Sequence, residues 1–226
     1  VGFLRDDRAM SIPVPSDPNV AAVGASFTAI TLAELGDKTF FMALILATRH
    51  RGRYVFLGAF AALAAVTVIS LGVGYGLREL LPASVVPWLA AGLFTLFGLK
   101  LLVDAQRMGA DADEEEREAQ EAIEQAESRG RIIRPWAVIW EAFALVFLAE
   151  LGDRTQFATI FLATAPAFSF AGLLLGTLAG HAAVTALAVG SGKWIGQRIN
   201  ETLLYRLSGV LFVAFGLLSL QQALAG

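Results

Sequence analysis

The chain has 226 residues, of which 56% are hydrophobic and only 16% charged, with a formal net charge of −3 and a mean hydropathy of +0.64. Soluble domains average about 45–50% apolar and about 25% charged residues, so the balance here is that of a membrane protein, and no basic stripe argues for a nucleic-acid partner. The absence of cysteine excludes a disulfide framework and any thiolate metal site.

Residues 1–19 read as a polar, proline-containing tail with no apolar core of signal-peptide length. A membrane-spanning helix needs roughly 20 mostly apolar residues. Six segments are expected to qualify: Val20–Thr48, Tyr54–Leu77, Val85–Val103, Ala137–Ala165, Phe168–Ile195 and Leu203–Leu224. The first and fourth carry internal charges. Residues 104–136 form an acidic connector, with ten of the twenty acidic residues lying between Asp104 and Glu127. Its Glu, Ala, Gln and Arg content favours helix, and its charge predicts a solvated loop or surface helix.

The chain repeats itself. Phe27–Thr48 aligns without gaps on Phe143–Thr164, with 12 of 22 positions identical. "LGAFAALAAVTVISLGVG" at 57–74 matches "LGTLAGHAAVTALAVGSG" at 175–192, and "LFTLFGLKLL" at 93–102 matches "LFVAFGLLSL" at 211–220. The expected fold is therefore an all-α integral membrane protein of six transmembrane helices, built from two three-helix repeats at 20–103 and 137–226. Three is odd, so the second copy would cross the bilayer inverted, an arrangement that secondary transporters use to build a midplane site between repeats.

Lys and Arg concentrate on one side of this topology: Arg49, Arg51 and Arg53, then Arg107, Arg117, Arg129, Arg131 and Arg134, then Lys193, Arg198 and Arg206. The positive-inside rule makes that side cytoplasmic, with both termini opposite. A bacterial inner membrane or an organellar or thylakoid membrane satisfies the same physics. Trp88, Trp136, Trp140 and Trp194 fall near helix ends, as an aromatic belt requires.

The charges inside the first and fourth spans form "AELGDKT" and "AELGDRT". Glu34 and Asp37 are three residues apart, as are Glu150 and Asp153. Positions i and i+3 share a helix face, so each copy is expected to project two carboxylates into one space halfway along its span. An acid at that depth costs about 2.5–3.5 kcal/mol and faces a bundle interior or a water cavity. Gly36 and Gly152 permit close helix approach or a local break that exposes carbonyls. Thr39 and Thr155 add a hydroxyl two residues on. Glu34 with Lys38, and Glu150 with Arg154, are i,i+4 pairs that could neutralise locally, leaving Asp37 and Asp153 over. Four carboxylates against Lys38 and Arg154 leave a net charge of −2, which one divalent cation or two protons would offset. Oxygen-only donors suit hard ions such as Ca²⁺, Mn²⁺ or Mg²⁺. The pattern points to exchange of a divalent cation for protons, with the ion as cargo and no prosthetic group.

The duplicated hexapeptides "ELGDKT" and "ELGDRT" resemble the E-x-G-D-[KR]-[TS] motif of the family of small cation/proton exchangers that includes transmembrane protein 165 of the Golgi. The resemblance runs from about Val20 to the end of the chain. It implies proton-coupled Ca²⁺ or Mn²⁺ transport, with Glu34, Asp37, Glu150 and Asp153 as ion-binding acids and Thr39 and Thr155 as supporting ligands. Gln156 stands where the first copy has Phe40, so the two halves need not be equivalent.

Other polar residues have blander readings. His181 has Leu63 as its repeat mate and is expected to pack helices through a hydrogen bond or to relay protons. Thr67 and Thr185 are expected to bond between helices or to line the path, and Glu141 to be interfacial or an entrance acid. A passive cation channel is the alternative function, although paired inverted halves suit a carrier. An intramembrane aspartyl protease would share a proton between two aspartates, but its Gly-x-Gly-Asp pattern is broken by Glu34 and Glu150, so no enzyme is expected. The expected partners are the lipid bilayer, divalent cations and protons, with a homo-oligomer left open.

Overall fold

A computed structural model describes residues 17–82, 84–107, 111–127, 134–165, 168–196 and 201–225. Most of the expected polar tail and parts of the central connector and the 193–206 connector lie outside them. Among the described residues the regular structure is entirely helical: α1 (Pro18–Glu34), α2 (Lys38–Arg49), α3 (Gly52–Leu80), α4 (Val86–Arg107), α5 (Asp111–Glu127), α6 (Pro135–Glu150), α7 (Arg154–Thr164), α8 (Phe170–Gly196) and α9 (Glu201–Ala225).

The helix starts follow local chemistry. Asp17 caps α1 by accepting the Asn19 amide at 2.8 Å, and proline occupies the first turn of both α1 and α6, where its missing N–H costs nothing. The first and fourth expected spans are each interrupted. Leu35 and Leu151 are extended, and Gly36 and Gly152 adopt φ of 80° and 88°. A side chain in that left-handed region costs roughly 1–2 kcal/mol, so glycine is what allows the chain to turn and restart at Asp37 and Asp153.

These interruptions change the span count. Gly52–Leu80, Val86–Gln106, Phe170–Gly190 and Thr202–Leu224 are long and apolar enough to cross a membrane. Pro135–Glu150 and Thr155–Thr164, bent by 67°, make a fifth if taken together. Six spans are expected from sequence; among the described residues four helices qualify, or five with the bent pair. The 17-residue α1 and 12-residue α2 are each short for a full crossing.

The helices pack across the repeats rather than within them. A Cβ at Gly58 on α3 would collide with the Ile139 carbonyl and Ala142 on α6, and one at Gly176 on α8 would collide with Ser26 and Val23 on α1. Gly58 and Gly176 are repeat mates, so each copy's second long helix lies against the other copy's first. The third helices pair with one another: Gly98 on α4 meets Gly209 and Val213 on α9, and Gly216 meets Thr95. Small residues of this kind let helix backbones approach where apolar burial gives little drive. Phe94 of α4 completes that interface with edge-on and tilted contacts to Phe212 and Phe215.

Of the two readings of the connector, solvated loop or surface helix, α5 is a helix, and one of its faces is buried. Ala119 and Ile123, four residues apart and on one face, are fully buried. Ala119 joins the cluster containing Phe40 and Leu44 of α2, and Ile123 the cluster containing Leu46, Val55 and Val138. Glu116, Glu118, Glu121 and Glu124 are exposed, so the helix docks on α2 by its apolar face. Trp88, Trp136 and Trp140 are all at least half exposed near helix starts, as expected for a belt, while the Trp194 side chain lies outside the described set.

Gly58→Val should drive a branched side chain into the α6 backbone and cost roughly 1–3 kcal/mol. Gly72→Val, at a position with nothing within 4 Å, should be close to neutral. Thermal unfolding of the detergent-solubilised variants against wild type would check the contrast.

Candidate metal centre

The two helix breaks build the site. Glu34 is the last residue of α1 and Asp37 the N-cap of α2; Glu150 ends α6 and Asp153 caps α7. The carboxylates of each copy therefore do not share one continuous helix face, as the i,i+3 reading supposed. They converge across a turn at the start of a second helix, where the Asp37 and Asp153 amides bond back to the Glu34 and Glu150 carbonyls.

Glu34, Asp37 and Glu150 are 2%, 4% and 1% exposed, and one carboxylate oxygen from each lies within 4.8 Å of the others. That spacing suits a single cation bridging oxygens from both copies. Thr39 and Thr155, also buried, donate to the glutamates: Thr39 Oγ1 to Glu34 Oε2 at 3.0 Å and Thr155 Oγ1 to Glu150 Oε2 at 3.2 Å. The other oxygens, Glu34 Oε1 and Glu150 Oε1, are buried without a hydrogen-bond partner.

The copies differ at their aspartates. Asp153 Oδ2 accepts both the Thr155 amide and the Thr155 hydroxyl at 3.0 Å, so it caps α7. Asp37 makes no such side-chain cap. Gln156 reaches back to accept the Gly152 amide through Oε1 at 2.7 Å, a bond that Phe40 in the first copy has no atoms to make. Among the described residues the close group is thus three carboxylates, with Asp153 half-buried beside it.

The centre has an open side and a closed side. A cleft of about 380 Å³ is lined by Asp37, Asp153, Gly152, Lys38, Lys100 and Glu118, among others. Two cavities of about 10 Å³ each lie within the helix packing, one lined by Glu34, Thr39 and Thr185, the other by Glu150, Thr155 and Thr67. Each has room for the centre of about one water molecule. His181 and Leu63 line both.

Several sequence expectations need correction. The Lys38 ammonium bonds Glu118 Oε2 of α5 at 2.7 Å rather than Glu34, so the expected i,i+4 pair of the first motif does not form. The side chain of Arg154 lies outside the described set. Glu141 is buried in the helix packing, with His50 Nε2 3.7 Å from its Oε2. Thr67 bonds the Leu63 carbonyl of its own helix at 2.8 Å, not a neighbouring helix. The Nδ1 atom of His181 is buried without a hydrogen-bond partner, 3.8 Å from Glu34 Oε1. The role of Glu118 had no signal in sequence, because it is one acid in a run of ten. His181 had a weak one, as a lone imidazole in an apolar span.

Comparison with known proteins adds an independent line. The family model described as "Divalent cation/proton antiporter GDT1" matches in two segments, residues 22–109 and 138–226, one in each half of the chain. A GDT1-like protein, sll0615, of Synechocystis is 41% identical over 202 residues, covering 88% of this chain and 97% of the relative. The chloroplast protein PAM71 of Arabidopsis thaliana is 38% identical over 209 residues, covering 88% of this chain, which spans only 56% of that relative's length. GDT1-like protein 3 of Arabidopsis thaliana is 35% identical over 208 residues, covering 88% of this chain and 70% of the relative. No solved structure matches. A duplicated pair of broken, carboxylate-bearing helices and a family match over both halves lead to one conclusion: the chain belongs to the GDT1 family of divalent cation/proton antiporters.

Proposed function

We propose that the chain exchanges Mn²⁺ or Ca²⁺ for protons at a site between its two repeats. Glu34, Asp37 and Glu150 are its innermost ligands, Asp153 the fourth carboxylate at the cleft wall, and Thr39 and Thr155 supporting hydroxyls. The observation that carries this reading is the approach of three buried carboxylates, drawn from both copies, to within 4.8 Å. Like charges so close and so far from water are stable only when a cation or protons offset them. A divalent ion and two protons carry the same charge, so one can replace the other without changing the total, which is the requirement for exchange. The donors are oxygens, which favours hard cations over those that prefer thiolate.

Under this reading the repeats at 20–103 and 137–226 are inverted about the site, with segment 104–136 between them. The reciprocal packing of Gly58 and Gly176 and the pairing of α4 with α9 support such a relation. The arginine distribution supports a cytoplasmic central segment with the termini opposite. The cleft has Glu118 of that segment in its wall, so this conformation would be open to the cytoplasm, with α5 leaning on its rim. A bacterial or thylakoid membrane is the proposed setting, in keeping with the cyanobacterial and chloroplast relatives.

Proteoliposomes with an acidic lumen should accumulate cation as protons leave, and collapsing the gradient should stop uptake. Glu34→Gln, Asp37→Asn and Glu150→Gln should each abolish uptake of Mn²⁺ and of Ca²⁺. Asp153→Asn should retain the α7 cap, because asparagine caps as well as aspartate, so any loss of uptake there reports ligation rather than folding. Saturable, gradient-dependent flux would separate the carrier from a passive channel; flux indifferent to the gradient would overturn the exchange reading.

The chain has no cysteine, so single-cysteine labelling tests its topology directly. Arg51→Cys and Glu121→Cys should react from the cytoplasmic side, and Arg78→Cys from the other. Labelling of all three from one side would overturn the inverted arrangement.

A further inference from the structure

The pseudo-symmetry of the site is broken at one place. Glu34 and Glu150 each accept a threonine hydroxyl on Oε2 and each leave Oε1 buried without a hydrogen bond. At Glu34 the free oxygen lies 3.8 Å from the His181 imidazole, whose Nδ1 is likewise buried and unpartnered. The repeat mate of His181 is Leu63, which offers no polar atom; both side chains line the cavities beside Glu34 and Glu150, and the close approach of the imidazole is to Glu34.

Two orphaned polar atoms rarely face one another in a folded interior without a purpose. At 3.8 Å they are just beyond direct hydrogen-bond distance. The cavity of about 10 Å³ that both residues line, together with Thr39 and Thr185, has space for about one water to join them. Burial explains why the pair cannot simply turn to solvent: the side chains are 6% and 2% exposed. Helix α8, which carries His181, packs on α1, whose last residue is Glu34.

We propose that His181 is a positioning residue for the cation site. It holds the Glu34 carboxylate from the Oε1 side through one water, while Thr39 holds Oε2. The carboxylate plane is then fixed before the cation arrives, whereas Glu150 is held on one oxygen only. Residues that orient a metal ligand in this way typically change affinity by about 10–100-fold when removed. The consequence is an asymmetric site in which the first copy supplies the pre-oriented glutamate and the second the adaptable one. This rests on the proposed role of Glu34 as a cation ligand.

The test compares H181L and H181M, both apolar, with H181N, which restores a polar group near the position of Nδ1. Each is assayed by proteoliposome uptake of Mn²⁺ and Ca²⁺, and by the Mn²⁺ concentration that raises the melting temperature of the purified protein. The expected result is a rise of about 10-fold in KM, with maximal rate within about 3-fold of wild type, in whichever apolar variant folds. The Mn²⁺ midpoint of thermal stabilisation should move by a similar factor, and H181N should recover most of both. Unchanged KM and midpoint in an apolar variant, while Glu34→Gln is inactive, would overturn the positioning role and leave the cation site standing. Equal impairment in H181N and H181L would also overturn it, in favour of a purely packing role. Normal transport by Glu34→Gln would instead remove the site on which it rests.

Discussion

Carboxylates withdrawn from water must be compensated, and the architecture around residues 34–37 and 150–153 is organised by that need. Three of them lie together with almost no solvent contact. Several kcal/mol of desolvation per ion would work against folding unless each lost interaction with water were replaced. The replacement is partial by design: hydroxyls from Thr39 and Thr155 satisfy one oxygen of each glutamate, and the remainder face a space that a cation or protons can complete. An incomplete shell of this kind suits a carrier, because a site saturated by its own protein groups would have nothing to gain from binding and nothing to exchange.

The helix breaks make this geometry affordable. A continuous helix would present Glu34 and Asp37 on one face but would keep its backbone groups bonded internally. Stopping at Glu34, turning through Gly36 and restarting at Asp37 brings a helix C-terminus and a helix N-terminus to the same point. The same happens at Gly152. Ends of opposite polarity then sit beside ionisable groups inside the packing. Glycine has a specific role at both turns, since no other residue takes that backbone conformation without strain.

Duplication brings two such turns together, but the halves have diverged. Asp153 caps its helix and Asp37 does not; Gln156 braces Gly152, whereas Phe40 packs into apolar surroundings beside Phe41. The Lys38–Glu118 contact ties the first motif to α5. That pair is partly exposed and worth little in stability, of the order of 0–1 kcal/mol. Its significance is positional: it draws the one lysine of the motif away from the carboxylates and toward the rim of the cleft.

Much of this was legible in the sequence. The duplicated motif, the nearly constant spacing between copies and the apolar segments depend on short-range patterns, and these identified an all-helical membrane protein with acids in matched helices. The motif glycines even announced a break as one of two options. Tertiary structure alone decided the rest. Whether Gly36 breaks the helix depends on what the freed backbone groups meet. Whether Lys38 pairs with Glu34 or Glu118 depends on where a distant helix docks. That Glu141 is buried depends on how α6 packs against α3, and that His181 faces Glu34 on how α8 packs against α1, bringing together positions 147 apart in the sequence. Composition and periodicity report which residues can leave water; only the packed helices determine which of them then meet.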